Sequence, residues 1–316
     1  MKGGAKHMER VLITGGTGFI GGELLRGLLA EGRRTFVLAR PAAAQCLVPH
    51  PGLTVLEGDL RDATSAEACV RAARPDVVFH LAAAGASAAR GVAAEVFETN
   101  VQGTANLLRA AERHGCRAFV HAGSGAEYGP RDEAAREGDP LRPRGPYAVA
   151  KAAASLLSLQ ADLPAVVVRI FGAYGPGEGD ERLLPYVAGC YRRGEAPRLS
   201  DGSQRRDFIH VEDVARLLRA AADVPTARGR VLHAATGRAW SVREAVELIA
   251  RAVAPAGPPP AFGARPGRPD EPALYLGSRD ETTALTGWRP AFDMPGGIEN
   301  TLSRLGGPGR RRALAG

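Results

Sequence analysis

Thr14–Gly21 reads TGGTGFIG, with Gly15, Gly18 and Gly21 in GxxGxxG spacing. An apolar run, Arg10–Thr14 (RVLIT), stands directly before it, and a helical pattern runs on from Gly21 to Glu31. Between a strand and a helix, each glycine has a physical role. Gly15 permits the tight turn, Gly18 lets the backbone approach a pyrophosphate, and Gly21 lets helix and strand pack closely. The helix N-terminus then receives the anion. The stretch predicts a dinucleotide cradle, with Thr17, Phe19 and Ile20 as further cofactor neighbours on the same turn.

Short apolar runs recur downstream at Thr35–Ala39 (TFVLA), Leu53–Glu57, Val77–Ala82 (VVFHLA), Ala118–Ala122 (AFVHA) and Ala165–Ile170 (AVVVRI). Helical patterns interleave with them, among them Ala93–His114 and Tyr147–Leu159. Continuous apolar strands alternating with helices imply a parallel sheet covered on both faces. The expected fold is therefore α/β, a Rossmann-type doubly wound parallel sheet. After Gly172 loops lengthen and Pro and Gly cluster, at Tyr174–Gly179 and Pro255–Pro260. Helices are expected at Arg182–Arg193, Val211–Ala222 and Ser241–Ala254, and Val231–Ala234 reads as a strand returning to the main sheet. Residues 8–172 form the expected dinucleotide-binding domain and 173–305 a smaller, partly discontinuous C-terminal substrate lobe. Residues 1–7 read as an expression leader and 306–316 as a flexible tail.

The 316 residues are 45% hydrophobic and 24% charged, an ordinary globular balance. No apolar run approaches the roughly 20 residues that span a bilayer, so no membrane partner is expected. Cys46, Cys69, Cys116 and Cys190 form no CxxC pair, and a reduced, cytoplasmic setting is the expectation. The seven histidines are scattered without ligand spacing, so no metal site is expected. The net charge of +7 falls to +2 once Lys2, Lys6 and Arg310–Arg312 of the presumed leader and tail are set aside. That leaves no basic face for nucleic acid. A homodimer stays open as the assembly.

Lys2, Lys6 and Lys151 are the only lysines among 41 basic residues. A chain that writes arginine elsewhere keeps a compact ammonium at 151, four residues after Tyr147, so both side chains share a helix face. A phenol needs to fall by about three pKa units, about 4 kcal/mol, to exchange protons near neutrality. An ammonium about 5 Å away supplies roughly 3 kcal/mol at an effective dielectric of about 20. Tyr147 and Lys151 are thus the expected acid/base pair. At the end of the second strand, Ala39 and Arg40 offer no carboxylate for a ribose hydroxyl. A guanidinium suits a 2′-phosphate, and Arg33 and Arg34 lie nearby, so NADP is the expected cofactor with NAD as the alternative.

The glycine motif, Gly58-Asp59-Leu60, His80-Leu81-Ala82-Ala83, Asn100–Thr104 (NVQGT), Ser124 before Tyr128-Gly129, and YxxxK together resemble the extended short-chain dehydrogenase/reductase family. The nearest branch comprises nucleotide-sugar epimerases, dehydratases and reductases, and the resemblance runs from Arg10 to Thr301. It implies that Asp59 and Leu60 meet the adenine and that His80–Ala83 border the nicotinamide side, with Leu81, Ala82, Ala83 and Asn100 as cofactor contacts. Tyr147 and Lys151 would touch the cofactor as well. Ser124 would hydrogen-bond the reacting oxygen, a place where a carbonyl being reduced needs a donor. In Gly202–Asp213 (GSQRRDFIHVED), Arg206 would bind the substrate diphosphate, and Arg265 would be the second phosphate arginine. Leu285–Pro290 (LTGWRP) resembles a packing element, and Asp213 reads as a helix cap.

Four positions depart from the family pattern. Gly125 and Ala126 stand where 4,6-dehydratases carry an acid pair, so dehydration is not expected. Gly172 replaces the Asn of the RxFN element, and Arg268 falls where an acid is common. The resulting expectation is an NAD(P)-dependent oxidoreductase that reduces the C4 keto group of a nucleoside-diphosphate 4-keto-6-deoxyhexose. The alternatives are an NDP-sugar 4-epimerase with tightly bound NAD and, further off, a non-catalytic dinucleotide sensor.

Overall fold

The computed structural model describes residues 9–85, 92–267 and 271–305; residues 1–8 and 306–316, where a leader and a tail are expected, and Arg268 lie outside them. The main sheet begins with β1 (Arg10–Thr14), β2 (Arg34–Ala39), β3 (Leu53–Glu57) and β4 (Val77–His80). It continues through β5 (Ala118–Ser124) and β6 (Ala165–Ile170). The small strand β7 (Gly172–Tyr174) and then β8 (Arg205–His210) leave it, and β9 (Val231–Ala234) returns. The seven strands run parallel in the order β3-β2-β1-β4-β5-β6-β9. Alternation along β1 shows why both faces must be covered. Val11 and Ile13 join one buried cluster with Leu24, Leu28, Leu217 and Leu218, while Leu12 joins another with Val70, Leu107 and Phe119. Each such fully buried leucine contributes about 1.5–3 kcal/mol.

The helices follow the same division. On one face lie α1 (Phe19–Ala30) and α8 (Val211–Asp223); the other carries α3 (Ala63–Ala73) and α5 (Gly103–His114). The four-residue α2 (Pro41–Ala44) follows β2. The single helix expected over Ala93–His114 is α4 (Ala93–Phe97), a π-turn at Glu98–Gln102, and α5. The wide turn leaves the Asn100 carbonyl to accept the Thr104 hydroxyl at 2.5 Å. π-turns inside helices mark functional sites more often than plain helix does. The long α6 (Gly145–Gln160) packs against β5 and β6.

The smaller sheet is centred on β8, which pairs with β7, with β10 (Ala239–Ser241) and with β11 (Leu274–Tyr275). Its own core joins α7 (Leu183–Arg192), α9 (Val242–Val253) and α11 (Met294–Leu305), through Val187, Tyr191, Val246, Ile249 and Ile298. Ser241 and Glu244 close a reciprocal capping box at the start of α9. The remaining helix is α10 (Asp280–Thr286). Asp213 does not cap α8; His210 does, accepting the Glu212 N–H. Asp213 is buried and instead receives the N–H groups of Ala291 (2.9 Å) and Phe292 (3.1 Å), while Trp288 Nε1 donates to its carbonyl. It therefore docks the segment that follows LTGWRP. Gly172 also has a local cause, because a Cβ there would lie 2.6 Å from the Asp207 carbonyl oxygen across the β7–β8 pair. No asparagine fits on this backbone. Among the described residues no helix is long and apolar enough to cross a membrane.

Candidate active site

The sheet order reverses at β1 and β4, which opens a crevice at their carboxyl ends. Gly15 sits there at φ +73°, and a Cβ on it would lie 2.6 Å from Ala82 N and 2.7 Å from the Leu81 carbonyl carbon. A side chain at 15 would push the two strand ends apart. A Cβ on Gly21 would overlap the Gly15 carbonyl. Gly18 is the N-cap of α1 and makes no side-chain cap bond, so the first-turn N–H groups keep their capacity for an anion. This cradle fits a dinucleotide pyrophosphate. Phe19 lies 3.7 Å from where a Cβ on Gly177 would be, so the loop after β7 comes close to the motif. Leu60 is buried under Gly103. Asp59 pairs with Arg61 at 2.6 Å, which together with nearby Arg40 holds its carboxyl below the usual range. Arg40 itself is exposed.

A hydrogen-bond relay ties the two walls of the crevice together. Thr104 gives its proton to Asn100 O, so its oxygen accepts from His80 Nε2 at 2.8 Å. His80 Nδ1 then accepts from the Thr14 hydroxyl at 2.7 Å, and Thr14 Oγ1 accepts the Ala82 N–H at 3.3 Å. The chain of partners thus fixes the tautomer. Asn100, buried, spends its amide on the backbone of Ala84 at 2.7 and 3.0 Å. Burial and the neighbouring Lys151 charge lower His80 to about 3, so it stays neutral.

Ser124 ends β5, and α6 brings Tyr147 up beside it. Lys151 is buried one turn on and donates from Nζ to the Ala122 carbonyl. Burial pulls Lys151 down to about 8, against the pull of Glu127. Tyr147 moves the other way from the expectation. Burial raises its phenol, with Ser124 and Arg182 offsetting part of the rise and Glu127 adding to it. Lys151 is not among the groups that shift Tyr147, and its ammonium is held on the Ala122 carbonyl.

Two groups that were not singled out from sequence complete this centre. Glu127 is fully buried; it accepts from Ser124 N at 2.7 Å, Ser155 Oγ at 2.9 Å and Arg169 Nε at 2.7 Å. The S-x-x-E spacing of a capping box was its visible signal. Arg169 also donates to Tyr128 Oη at 2.6 Å. The second group is Arg182, at the start of α7, which pairs with the buried Glu178 at 3.3 Å. Burial raises Glu178 to about 7.

On β8 of the smaller sheet, Arg206 donates to Glu271 at 2.7 Å and to the Pro272 carbonyl at 2.8 Å. Its partner is thus Glu271 rather than Asp207 or Asp213. Asp207, fully buried, receives the N–H groups of Thr236 and Gly237 at 2.8 and 3.0 Å and staples that loop. Arg265 lies over the Tyr186 ring, 5.1 Å from its centroid.

Comparison with known proteins places this geometry. Residues 11–235 match the NAD dependent epimerase/dehydratase family. A dTDP-glucose 4,6-dehydratase of Streptomyces griseus is 33% identical over 77% of this chain and 78% of its own. A UDP-glucose 4-epimerase of Mycolicibacterium smegmatis is 31% identical over 93% and 97%. The structure of Thermus thermophilus UDP-glucose 4-epimerase with NAD superposes with TM-score 0.83 at 31% identity, covering 95% of this chain and 99% of that one. Given the glycine cradle, the Ser124–Tyr147–Lys151 centre and this match over more than half its length, the chain belongs to the NAD-dependent epimerase/dehydratase family, the extended short-chain dehydrogenase/reductases that modify nucleotide sugars.

Proposed function

We propose that this protein is a nucleoside-diphosphate-hexose 4-epimerase working with NAD. The observation that carries the reading is the state of the turn after Ser124. Expelling a 6-hydroxyl requires a free acid beside the sugar. The one carboxyl between Ser124 and Tyr128 is Glu127, and it is buried and engaged by Ser124, Ser155 and Arg169. A side chain at Gly125 would meet Phe171 at 2.7 Å and the Tyr275 hydroxyl at 2.8 Å, so an acid has no room there. Relatives of this chain carry dehydratase and 4-epimerase names, which moves the reading from the keto-sugar reductase expected from sequence to its alternative. NAD is the cofactor named with solved relatives, and Arg40, exposed near Asp59, is the residue through which NADP would have to be preferred.

When bound, NAD supplies a reversible two-electron oxidation at C4 of the sugar. The chain does the rest. Gly15, Gly18 and Gly21 admit the dinucleotide, and the His80 relay holds the facing wall at Leu81–Ala84. Tyr147 takes the proton from the C4 hydroxyl and returns it after the sugar has turned over. Ser124 donates to the same oxygen. Arg206 and Arg265 retain the diphosphate while the sugar reorients.

The test is product analysis with UDP-glucose, UDP-galactose and dTDP-glucose as substrates. The expected product is the C4 epimer without net reduction of cofactor. A 4-keto-6-deoxy sugar would mean dehydration, and stoichiometric NADPH oxidation with a keto sugar would mean reduction; either overturns the reading. Tyr147→Phe should lower kcat by about 10²–10⁴-fold with the fold intact.

A further inference from the structure

Three strands of the main sheet place one residue each in a single row. Gly123 on β5 stands opposite Arg169 on β6, and Arg169 stands opposite His233 on β9. Positions paired in this way project on the same face of the sheet. The row starts with a glycine for a steric reason, since a Cβ at 123 would lie 2.8 Å from Glu127 Oε1 and 3.1 Å from Arg169 Cγ. The space lets Glu127 fold back under its own turn, where it accepts from Ser124 N and Arg169 Nε. His233 closes the far end of the row.

The hydrogen bonds along the row have one proton order. The Ser278 carbonyl lies 2.8 Å from His233 Nδ1 and can only accept, so Nδ1 carries the ring proton. Burial lowers His233 to about 4, which keeps the ring neutral and leaves Nε2 a bare acceptor. Tyr128 Oη lies 2.6 Å from Nε2 and so turns its proton there. The Glu137 carbonyl, the other acceptor in reach of that hydroxyl, is farther off at 3.2 Å. The Tyr128 oxygen is left to accept from Arg169 Nη1 at 2.6 Å, while Arg169 Nε serves Glu127 at 2.7 Å. Glu127, Tyr128, Arg169 and His233 are all buried, so solvent does not make good a broken link.

We propose that His233 is a positioning residue for Ser124, acting through Tyr128, Arg169 and Glu127 to hold the turn on which the serine sits. The inference rests on the epimerase reading only for Ser124 as the donor to the reacting oxygen. It also joins the two sheets. Ser278 follows β11, which pairs with the strand that carries Arg206, so the end of the small sheet is bonded through the row to the turn at Ser124.

The test contrasts two amide side chains at position 233. Both lose the packing of the imidazole on Phe171, whose ring centroid is 5.3 Å away. The carboxamide of His233→Gln extends as far as Nε2 and can accept from Tyr128; that of His233→Asn is shorter and serves only the Ser278 side. Backbone hydrogen exchange is measured on the full chain. In His233→Asn the Ser124 amide should exchange about tenfold faster while that of Val120, earlier on β5, is unchanged. His233→Gln should recover most of the difference. Tyr128→Phe keeps its ring, breaks the same link from the other side and should repeat the pattern of His233→Asn. In turnover, His233→Asn should lower kcat about tenfold with KM for the sugar nucleotide unchanged. Added to Ser124→Ala it should cause no further loss, because no hydroxyl is left to position. An unmoved Ser124 amide, equal acceleration at Val120, equal effects of the two amides, or a kcat loss that persists in Ser124→Ala overturns the proposal. Absence of turnover with every sugar nucleotide would count against the epimerase reading alone, because exchange reads the Ser124 turn without a substrate.

Discussion

Glu127 Oε2 and Arg169 Nε lie 2.7 Å apart with side-chain exposures of 0% and 3%, directly beneath Ser124. The pair is costly to bury and costlier to break, since either partner alone is an uncompensated charge in the interior. Arg169→Met should therefore destabilise the protein by about 3–5 kcal/mol in denaturant unfolding. Glu127→Gln, which leaves the buried Arg169 charge without its counter-charge, should also cost several kcal/mol of stability and lower kcat, because the Ser124 N–H loses its carboxylate acceptor. Equal stability of Arg169→Met and wild type would show that this pair does not hold the turn.

Lys151 makes a trade of stability for function measurable. Its folded value of about 8 lies below the ordinary 10.5, so the unfolded chain binds more protons between those values and stability rises with pH across that window. Below pH 8 the full penalty is present. Lys151→Met removes it and should stabilise the protein at pH 7 by up to about 3 kcal/mol while abolishing turnover. The difference between the two proteins should vanish as pH approaches 10.5. Unfolding curves at pH 7 and pH 10 check this, and a Lys151→Met protein less stable than wild type at pH 7 would contradict it.

Arg206 is held by Glu271 before any diphosphate arrives. On the proposed reading, substrate binding competes with a carboxylate for the same guanidinium. Arg206→Ala should raise KM for a sugar nucleotide by about tenfold or more, the loss of a charge-assisted contact of about 1.5–3 kcal/mol. Glu271→Gln should lower KM severalfold, since the competitor loses its charge. Steady-state kinetics of the two variants decide it: a raised KM in Glu271→Gln would make Glu271 part of the substrate site.

Cofactor choice turns on Arg40. If NAD is the working cofactor, Arg40→Asp should leave NAD affinity within about threefold, because an exposed charge contributes little. NADP affinity should fall further, as a like charge meets the 2′-phosphate. Fluorescence titration with both nucleotides measures the split, and a wild type that binds NADP more tightly than NAD would return the assignment to NADP.

Much of this architecture is written locally. The strand–glycine turn–helix unit at Arg10–Ala30 and the YxxxK face at Tyr147–Lys151 depend on spacing along the chain. Backbone periodicity dictates such features wherever the segment lies. Side-chain partnership is different. Glu127 finds Arg169 across 42 residues and Arg206 finds Glu271 across 65. Tyr275 reaches Phe171 only because β11 pairs with β8. These meetings depend on how elements pack, and many carboxylates could have met each arginine in an extended chain. The sequence by itself determined the doubly wound sheet, the dinucleotide cradle and the candidate catalytic residues. Tertiary structure alone decided that Lys151 rests on Ala122, that burial lifts Tyr147, and that Gly125 has no space for an acid, because desolvation and steric exclusion belong to the packed interior and have no counterpart in the unfolded chain.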